Sequence, residues 1–110
     1  MVADFPRTAR LLSGREFRRV FDHRKASSNS LFRIHYAPAE TPRLGLAVSK
    51  RVSPKAVIRN RIRRQIRESF RLRRDELAPC DYIVLAKPAA AAATPAELRM
   101  ALDQLWQRFI

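Results

Sequence analysis

The stretch that decides the fold is residues 55–74, "KAVIRNRIRRQIRESFRLRR". Its apolar residues recur three or four positions apart, the spacing that places side chains on one face of an α-helix. Ser53, just before the stretch, fits the N-cap, and Pro54 fits the first helical position. We therefore predict a helix that begins there and ends near Arg74. Its inner face is expected to carry Ile58, Ile62, Ile66 and Phe70.

The opposite face of this helix is rich in arginine. Residues 50–74 hold eleven Lys and Arg against one acid, Glu68, and supply most of the net charge of +13. Arginines four positions apart repel each other by about 0.2–0.5 kcal/mol per pair. A solvated mixed-charge face is the alternative, but a helix with so few compensating acids favours a polyanionic partner. Because guanidinium binds phosphate well, we predict nucleic acid binding by this face: Asn60, Arg63, Arg64, Arg67, Arg71 and Arg74, with Arg59 and Arg61 at its flanks.

Towards the N-terminus, the pattern predicts one helix and two strands. A capping box at Ser13 opens a short helix over residues 13–23, and residues 25–30, "KASSNS", read as a loop. Residues 31–38 alternate apolar and polar side chains, as a half-buried strand does. Residues 43–50 form a second strand, and the short link between the two strands favours an antiparallel hairpin.

Towards the C-terminus, residues 81–87 are almost continuously apolar, which predicts a buried central strand. Residues 88–93 are predicted to form a linker or a frayed turn, and Thr94 then caps a last amphipathic helix. The element order is α-β-β-α-β-α, so we predict an α+β sandwich in which helices pack on a small sheet. We assign residues 1–110 to a single RNA-binding domain.

Several functional classes are disfavoured by composition. The single cysteine, Cys80, allows no intrachain disulfide, which fits a cytoplasmic protein. No apolar run reaches the length of a membrane span. His23 and His35 are far apart, with no carboxylate pair or metal-ligand spacing beside them, so we expect no catalytic residue, no protein-held metal and no small-molecule substrate.

Aromatic and basic side chains outside the long helix favour RNA over DNA. Neither a helix-turn-helix nor paired half-sites is visible, whereas Arg33 and His35 point outward on the strand of residues 31–38. We expect them to share a surface with Phe17 or Phe21, because rings beside cations form single-strand binding channels. Core packing is the alternative for both phenylalanines, and the residues by themselves leave it open.

The chain resembles the bacterial ribonuclease P protein subunit over nearly its whole length. The "RNR" run at residues 59–61, preceded by "GLAVSKR", is the most specific motif. The other matching stretches are "FPRTARLLSGREFRRVF", "RLGLAVSKRV", "RNRIRRQIRESFR", "DYIVLAKP" and "LWQRF".

This resemblance implies a fold and a function. The family fold is an α-β sandwich with a left-handed β-α-β crossover, against the usual right-handed connection. In that family the RNA subunit is the catalyst, and with Mg²⁺ it removes the 5′ leader of precursor tRNA. The protein, as a subunit of this endoribonuclease, binds the RNA subunit and the leader. The Mg²⁺ is therefore expected to be bound mainly by the RNA.

Two sets of site residues are implied by position. Arg33 and His35 depart from the apolar or aromatic residues that relatives often carry there, and the chain stops at Ile110 without the basic tail of many relatives. The set expected at the catalytic RNA is Lys50, Arg51, Arg59, Asn60, Arg61, Arg63, Arg64 and Arg67, to which the helical pattern adds Arg71. The set expected at the leader is Phe17, Phe21, Arg33, His35 and Ser49.

Two rival functions fit the composition. A non-catalytic structural RNA-binding protein, such as a ribosomal protein, would carry the same charge. A basic membrane-surface protein fits less well, because the apolar face of the long helix is needed for the core.

Overall fold

The computed structural model describes residues 13–110 as a four-stranded mixed sheet with helices on both faces, which confirms the predicted α+β class. The predicted domain of residues 1–110 includes residues 1–12, which lie outside the described part, as does the start of the first matching motif. The helices are α1 (Gly14–Asp22), α2 (Ala56–Arg73) and α3 (Pro95–Trp106). The strands are β1 (Lys25–Ser28), β2 (Phe32–Pro38), β3 (Arg43–Ala47) and β4 (Cys80–Ala86).

The strand order is β1-β2-β4-β3, so β4 is central and buried as predicted. β4 pairs antiparallel with β2 and parallel with β3, which makes β3-α2-β4 a β-α-β crossover. The predicted hairpin between β2 and β3 is therefore wrong. Strands separated by one neighbour are only about 10 Å apart, and the link of residues 39–42 spans that distance as easily as it closes a hairpin.

Two local predictions are corrected. The "KASSNS" segment is not all loop, because Lys25–Ser28 forms edge strand β1 along β2. The backbone of β1 pairs with β2, but none of its side chains enters the core. The sequence of β1 therefore has no apolar alternation that would predict a strand. Ser53 does not cap α2: the helix begins at Ala56, and the Ser53 hydroxyl instead accepts from the Lys55 amide at 3.1 Å, which forms a turn ahead of the helix.

Most of the core lies on one face of the sheet, under α2 and α3. Phe70, Tyr82 and Trp106 pack together there, and the Trp106 indole donates to the Ser69 hydroxyl at 2.9 Å. The capping box at Thr94 is confirmed. Of the two predictions for the segment after β4, the linker is wrong and the turn is closer: it is a 3-10 helix, Pro88–Ala92, whose Ala90 is buried in this core.

The other face of the sheet is covered in part by α1. A small apolar cluster forms there from Val20, Ala37 and Ile83, with Phe17 and Leu85 packed at its margin. Side chains alternate between faces along each strand, so Arg33 and His35 of β2 lie on this second face. The predicted core stripe of α2 and the predicted polar side of β2 therefore belong to opposite faces of the sheet.

Candidate nucleic-acid interface

The outer side of α2 presents four exposed polar side chains, which we call the arginine surface: Asn60, Arg61, Arg64 and Arg67. Within residues 13–110, no hydrogen bond or ion pair engages its three arginines. Asn60, Arg61 and Arg64 line a recess together with Val57, whose side chain is also exposed. The arrangement offers three guanidinium groups and a small apolar contact to a polyanion.

The other predicted arginines of α2 have partners inside the protein. Arg59 donates to the Ser53 carbonyl at 2.9 Å, and Arg63 donates to the Val48 carbonyl at 3.3 Å and to Asn60 Oδ1 at 2.8 Å. Arg71 forms an ion pair with Glu68, and Arg74, just after α2, donates to the Pro42 carbonyl at 3.3 Å. Arg59 and Arg63 thus attach α2 to the chain that enters it from β3, which orients the arginine surface.

A second candidate surface, which we call the aromatic surface, lies where α1 meets the sheet: Phe17, Phe21, Arg33 and His35. Phe21 is 38% exposed, and its ring meets the His35 ring edge-on with centroids 4.7 Å apart. Phe17 is half-buried against the small apolar cluster. The predicted sharing of one surface is confirmed for Phe21 and His35. Phe17 is both a packing residue and a neighbour of this surface.

The His35 ring is held in one tautomer. Arg33 Nε donates to His35 Nε2 at 3.1 Å, so the neutral imidazole carries its proton on Nδ1. Burial lowers the pKa of His35, and the charge of Arg33 lowers it further. His35 is thus neutral near pH 7 and offers one N–H donor beside an aromatic ring and a cation.

Ser49, Lys50 and Arg51, the other predicted site residues, follow strand β3. All three are exposed, in the turn that leads from β3 to α2. Arg33 and Ala47 both lie beside Leu85 in the sheet register, so β3 leaves the sheet at the end where Arg33 lies. The basic pair therefore follows β3 at the end of the sheet where Arg33 lies.

One polar group that the sequence did not single out lies beneath α1. Asp81 of β4 is fully buried and is paired with Arg19 of α1 and Arg43 of β3. Its only sequence signal is an acid at the start of an otherwise apolar strand. Such an acid requires a basic partner, but the spacing along the chain does not say which one.

Within residues 13–110, no group of three His, Cys, Asp or Glu side chains is placed to hold a metal ion. No helix in that part of the chain has the length and apolar character needed to cross a membrane.

The comparison with protein families decides the identity of the fold. A family model described as Ribonuclease P matches residues 5–110. The chain belongs to the ribonuclease P family. It is 43% identical over 105 residues to the ribonuclease P protein component of Xanthomonas campestris pv. campestris, covering 94% of this chain and 71% of that one. With the component from Methylococcus capsulatus it is 46% identical over 104 residues, covering 93% and 81%.

Solved structures of the ribonuclease P family share this architecture. The RNase P protein of Staphylococcus aureus superimposes with a TM-score of 0.85 at 27% identity, covering 91% of this chain and 94% of that one. The protein of Thermotoga maritima gives a TM-score of 0.80 at 25% identity, covering 92% and 97%. The family resemblance drawn from the motifs is therefore confirmed, while the roles of individual site residues stay predictions.

Proposed function

We propose that this chain is the protein subunit of a bacterial ribonuclease P, a cytoplasmic endoribonuclease that matures the 5′ end of tRNA. The arginine surface would bind the catalytic RNA subunit, and the aromatic surface would bind the 5′ leader of precursor tRNA. The relatives named above are ribonuclease P protein components, which supports the enzyme complex. The division of labour between the two surfaces rests on their chemistry.

One observation carries this proposal: Arg61, Arg64 and Arg67 have no acidic partner in the described part of the chain. Three exposed like charges on one helix repel each other, and phosphate groups remove that repulsion. A structured RNA presents phosphates at close spacing, and each neutralised phosphate releases a counterion. Binding to the RNA subunit should therefore weaken steeply as salt rises.

The aromatic surface suits an unpaired strand better than a duplex. An exposed ring beside a cation can stack on a base whose faces are free, which a single-stranded leader provides. Phe21, His35 and Arg33 supply a ring, a neutral N–H donor and a charge within a short distance. A precursor with a leader would gain this contact, and mature tRNA would not.

The chemistry of cleavage is assigned to the RNA. We propose that the Mg²⁺ needed for phosphodiester hydrolysis is bound mainly by the RNA subunit. Asn60 is the one neutral oxygen ligand on the arginine surface, and its Oδ1 already accepts from Arg63. We therefore derive no catalytic step from a side chain of this protein. Its role is to bind the RNA subunit, to orient the leader of the precursor tRNA and to neutralise phosphate charge where the two RNAs meet.

Reconstitution tests this proposal. The chain is added to a bacterial ribonuclease P RNA at a Mg²⁺ concentration too low for the RNA to act alone, and cleavage of a 5′-labelled precursor tRNA is measured. We expect release of the leader at the mature 5′ end. Chain carrying Arg99→Gln, an exposed arginine of α3, is the control and should stimulate cleavage equally. Tight binding of the RNA without stimulated cleavage would instead support the alternative, a structural RNA-binding protein.

A further inference from the structure

The position of α1 on the sheet depends on more than apolar packing. A helix of nine residues is too short to be stable in water by itself. Val20 is its one buried side chain, and Phe17 is only half-buried. The aromatic residues that α1 presents are therefore held by whatever else attaches the helix to the sheet.

A buried carboxylate provides that attachment. Asp81 Oδ1 accepts from Arg43 Nε and Asp81 Oδ2 accepts from Arg43 Nη2, both at 2.7 Å. Arg19 of α1 donates to the same Oδ2. A buried carboxylate with too few partners is strongly destabilising, and the two arginines supply the partners of Asp81. Through them Asp81, on β4, is linked to α1 and β3.

Two further contacts make this link two-sided. Arg19 Nη1 donates to the Pro38 carbonyl at 3.3 Å, and Arg43 Nη1 lies 3.5 Å from Glu16 Oε2. Glu16 and Arg19 are one helical turn apart, so α1 is attached at two points on the same face. We call Glu16, Arg19, Arg43 and Asp81 the clamp. Two attachment points restrict both the position and the rotation of the helix.

The clamp lies close to the aromatic surface. Ala37 is the register partner of Asp81 in the sheet, and His35 lies two residues farther along β2 on the same face. That spacing is roughly 7 Å along the strand. On α1, Phe21 follows Arg19 by two residues and meets the His35 ring. A small rotation of α1 would separate Phe21 from His35.

We propose that Arg19 is a positioning residue for leader binding, which acts by holding α1 at the angle that places Phe21 beside His35. The ligand served is the single-stranded 5′ extension of a tRNA. This inference rests on the proposed function, because it assumes that the aromatic surface binds that extension. Arg19 is suited to the test because Arg43 keeps Asp81 paired when Arg19 is replaced.

The first measurement is independent of RNA. Native-state amide hydrogen exchange is compared for the full chain, for Arg19→Gln and for Arg18→Gln, which removes the same charge from an exposed neighbour on α1. We expect roughly five- to tenfold faster exchange of α1 amides in Arg19→Gln, the range for a partly exposed charge-assisted contact. Amides of β4 and α3 should be unchanged. Arg19→Lys, which keeps one donor, should fall between.

The second measurement uses the reconstituted holoenzyme. Dissociation constants are determined for two tRNAs that differ only in the 5′ leader, and for the RNA subunit. Arg19→Gln should lower the preference for the leader-bearing tRNA by roughly fivefold, with affinity for the RNA subunit within about twofold of the unmodified chain. Arg18→Gln should keep the preference.

Three results would overturn the inference. Exchange in α1 equal to that of Arg18→Gln would show that the clamp does not hold the helix. Faster exchange in β4 and α3 as well would mark Arg19 as a general stabilising residue. Faster exchange in α1 with an unchanged preference for the leader-bearing tRNA would show that the clamp has no part in leader binding. If the unmodified holoenzyme shows no leader preference, the leader role itself fails, and the exchange data alone decide whether the clamp holds α1.

Discussion

The helices α1 and α2 lie on opposite faces of one sheet, and different forces hold them there. α2 has 18 residues and buries Ile62, Ile66 and Phe70 in the main core. α1 has nine residues, buries Val20 and depends on the ion pairs of the clamp. Packing of the apolar face of α2 is enough to expose the arginines on its opposite face. The placement of the α1 phenylalanines rests on the small apolar cluster and, in addition, on the pair between Arg19 and Asp81.

The two binding surfaces are built in different ways. The arginine surface belongs to one continuous helix, so a change in it should act on charge alone and leave the fold intact. The aromatic surface is assembled from α1 and β2, so a change in it should act on geometry. The experiments below test whether the two surfaces are as independent as their construction implies.

The largest effect is expected from the arginine surface. Replacing Arg61, Arg64 and Arg67 together with glutamine should weaken binding of the RNA subunit about 100-fold, because three exposed phosphate contacts contribute about 1 kcal/mol each. The slope of log affinity against log salt should fall by roughly two. Affinity is measured by filter binding over a salt series.

Arg99→Gln and thermal unfolding provide the controls for this triple replacement. Arg99 is exposed on α3, and its loss should change affinity by about twofold at most. The triple variant should unfold at the same temperature or slightly higher, because like-charge repulsion is removed. A normal salt slope in the triple variant would mean that RNA is bound elsewhere on the protein.

The same contrast explains how much could be predicted from the sequence. The period of Ile58, Ile62 and Ile66 predicted α2, and its geometry predicted the exposure of Asn60, Arg64 and Arg67. Arg61, predicted at the flank of the apolar stripe, is exposed beside them. The sequence did not predict that Arg59 and Arg63 donate to backbone carbonyls, because those acceptors lie in the loop before the helix. The boundary at Ser53 was missed for a related reason: the same sequence signal fits a helix cap and a turn.

The other features of the fold and the site depend on the order of the strands in the sheet. The alternation of apolar and polar residues predicted that Arg33 and His35 lie on one side of β2. The short link between β2 and β3, however, does not show whether β4 lies between these two strands. The pairing of Asp81 with Arg43 follows from that strand order, since the two residues are neighbours in the parallel register. Edge strand β1 was also invisible, because a strand paired by its backbone needs no apolar pattern.

An intermediate effect is expected at the aromatic surface. Phe21→Ala should reduce the preference of the holoenzyme for leader-bearing over mature tRNA about tenfold, because one base-stacking contact contributes about 1–3 kcal/mol. Phe17→Leu, which keeps most of the packing volume of a half-buried residue, should have a smaller effect. Equilibrium binding of the two tRNAs measures the ratio.

Met100→Ala is the control for these ring replacements. Met100 is 73% exposed on α3, so its truncation removes a large apolar side chain away from both surfaces. It should leave the ratio unchanged. Equal losses of affinity for both tRNAs in Phe21→Ala would show that the ring supports the fold and does not contact the leader.

The smallest effect tests the charge state of His35. Its pKa lies below the ordinary 6.5 because of burial and then of Arg33. The unfolded chain thus binds a proton more readily, so His35 contributes stability above about pH 6.5 that is lost as pH falls through the lowered pKa. If the leader lies against His35 as proposed, a bound phosphate would raise that pKa, and binding would then take up a proton. Leader preference should therefore rise, by about two- to threefold, between about pH 7.5 and 5.5.

His23 supplies the matched control, because it is the other histidine of the chain and is exposed at the end of α1. His35→Gln should abolish the pH dependence of leader preference, and His23→Gln should keep it. An NMR titration of the His35 ring with and without a leader oligonucleotide measures the pKa directly. A pKa unchanged by the oligonucleotide would place the leader phosphates away from β2, and the aromatic surface would then bind RNA through Phe17 and Phe21 alone.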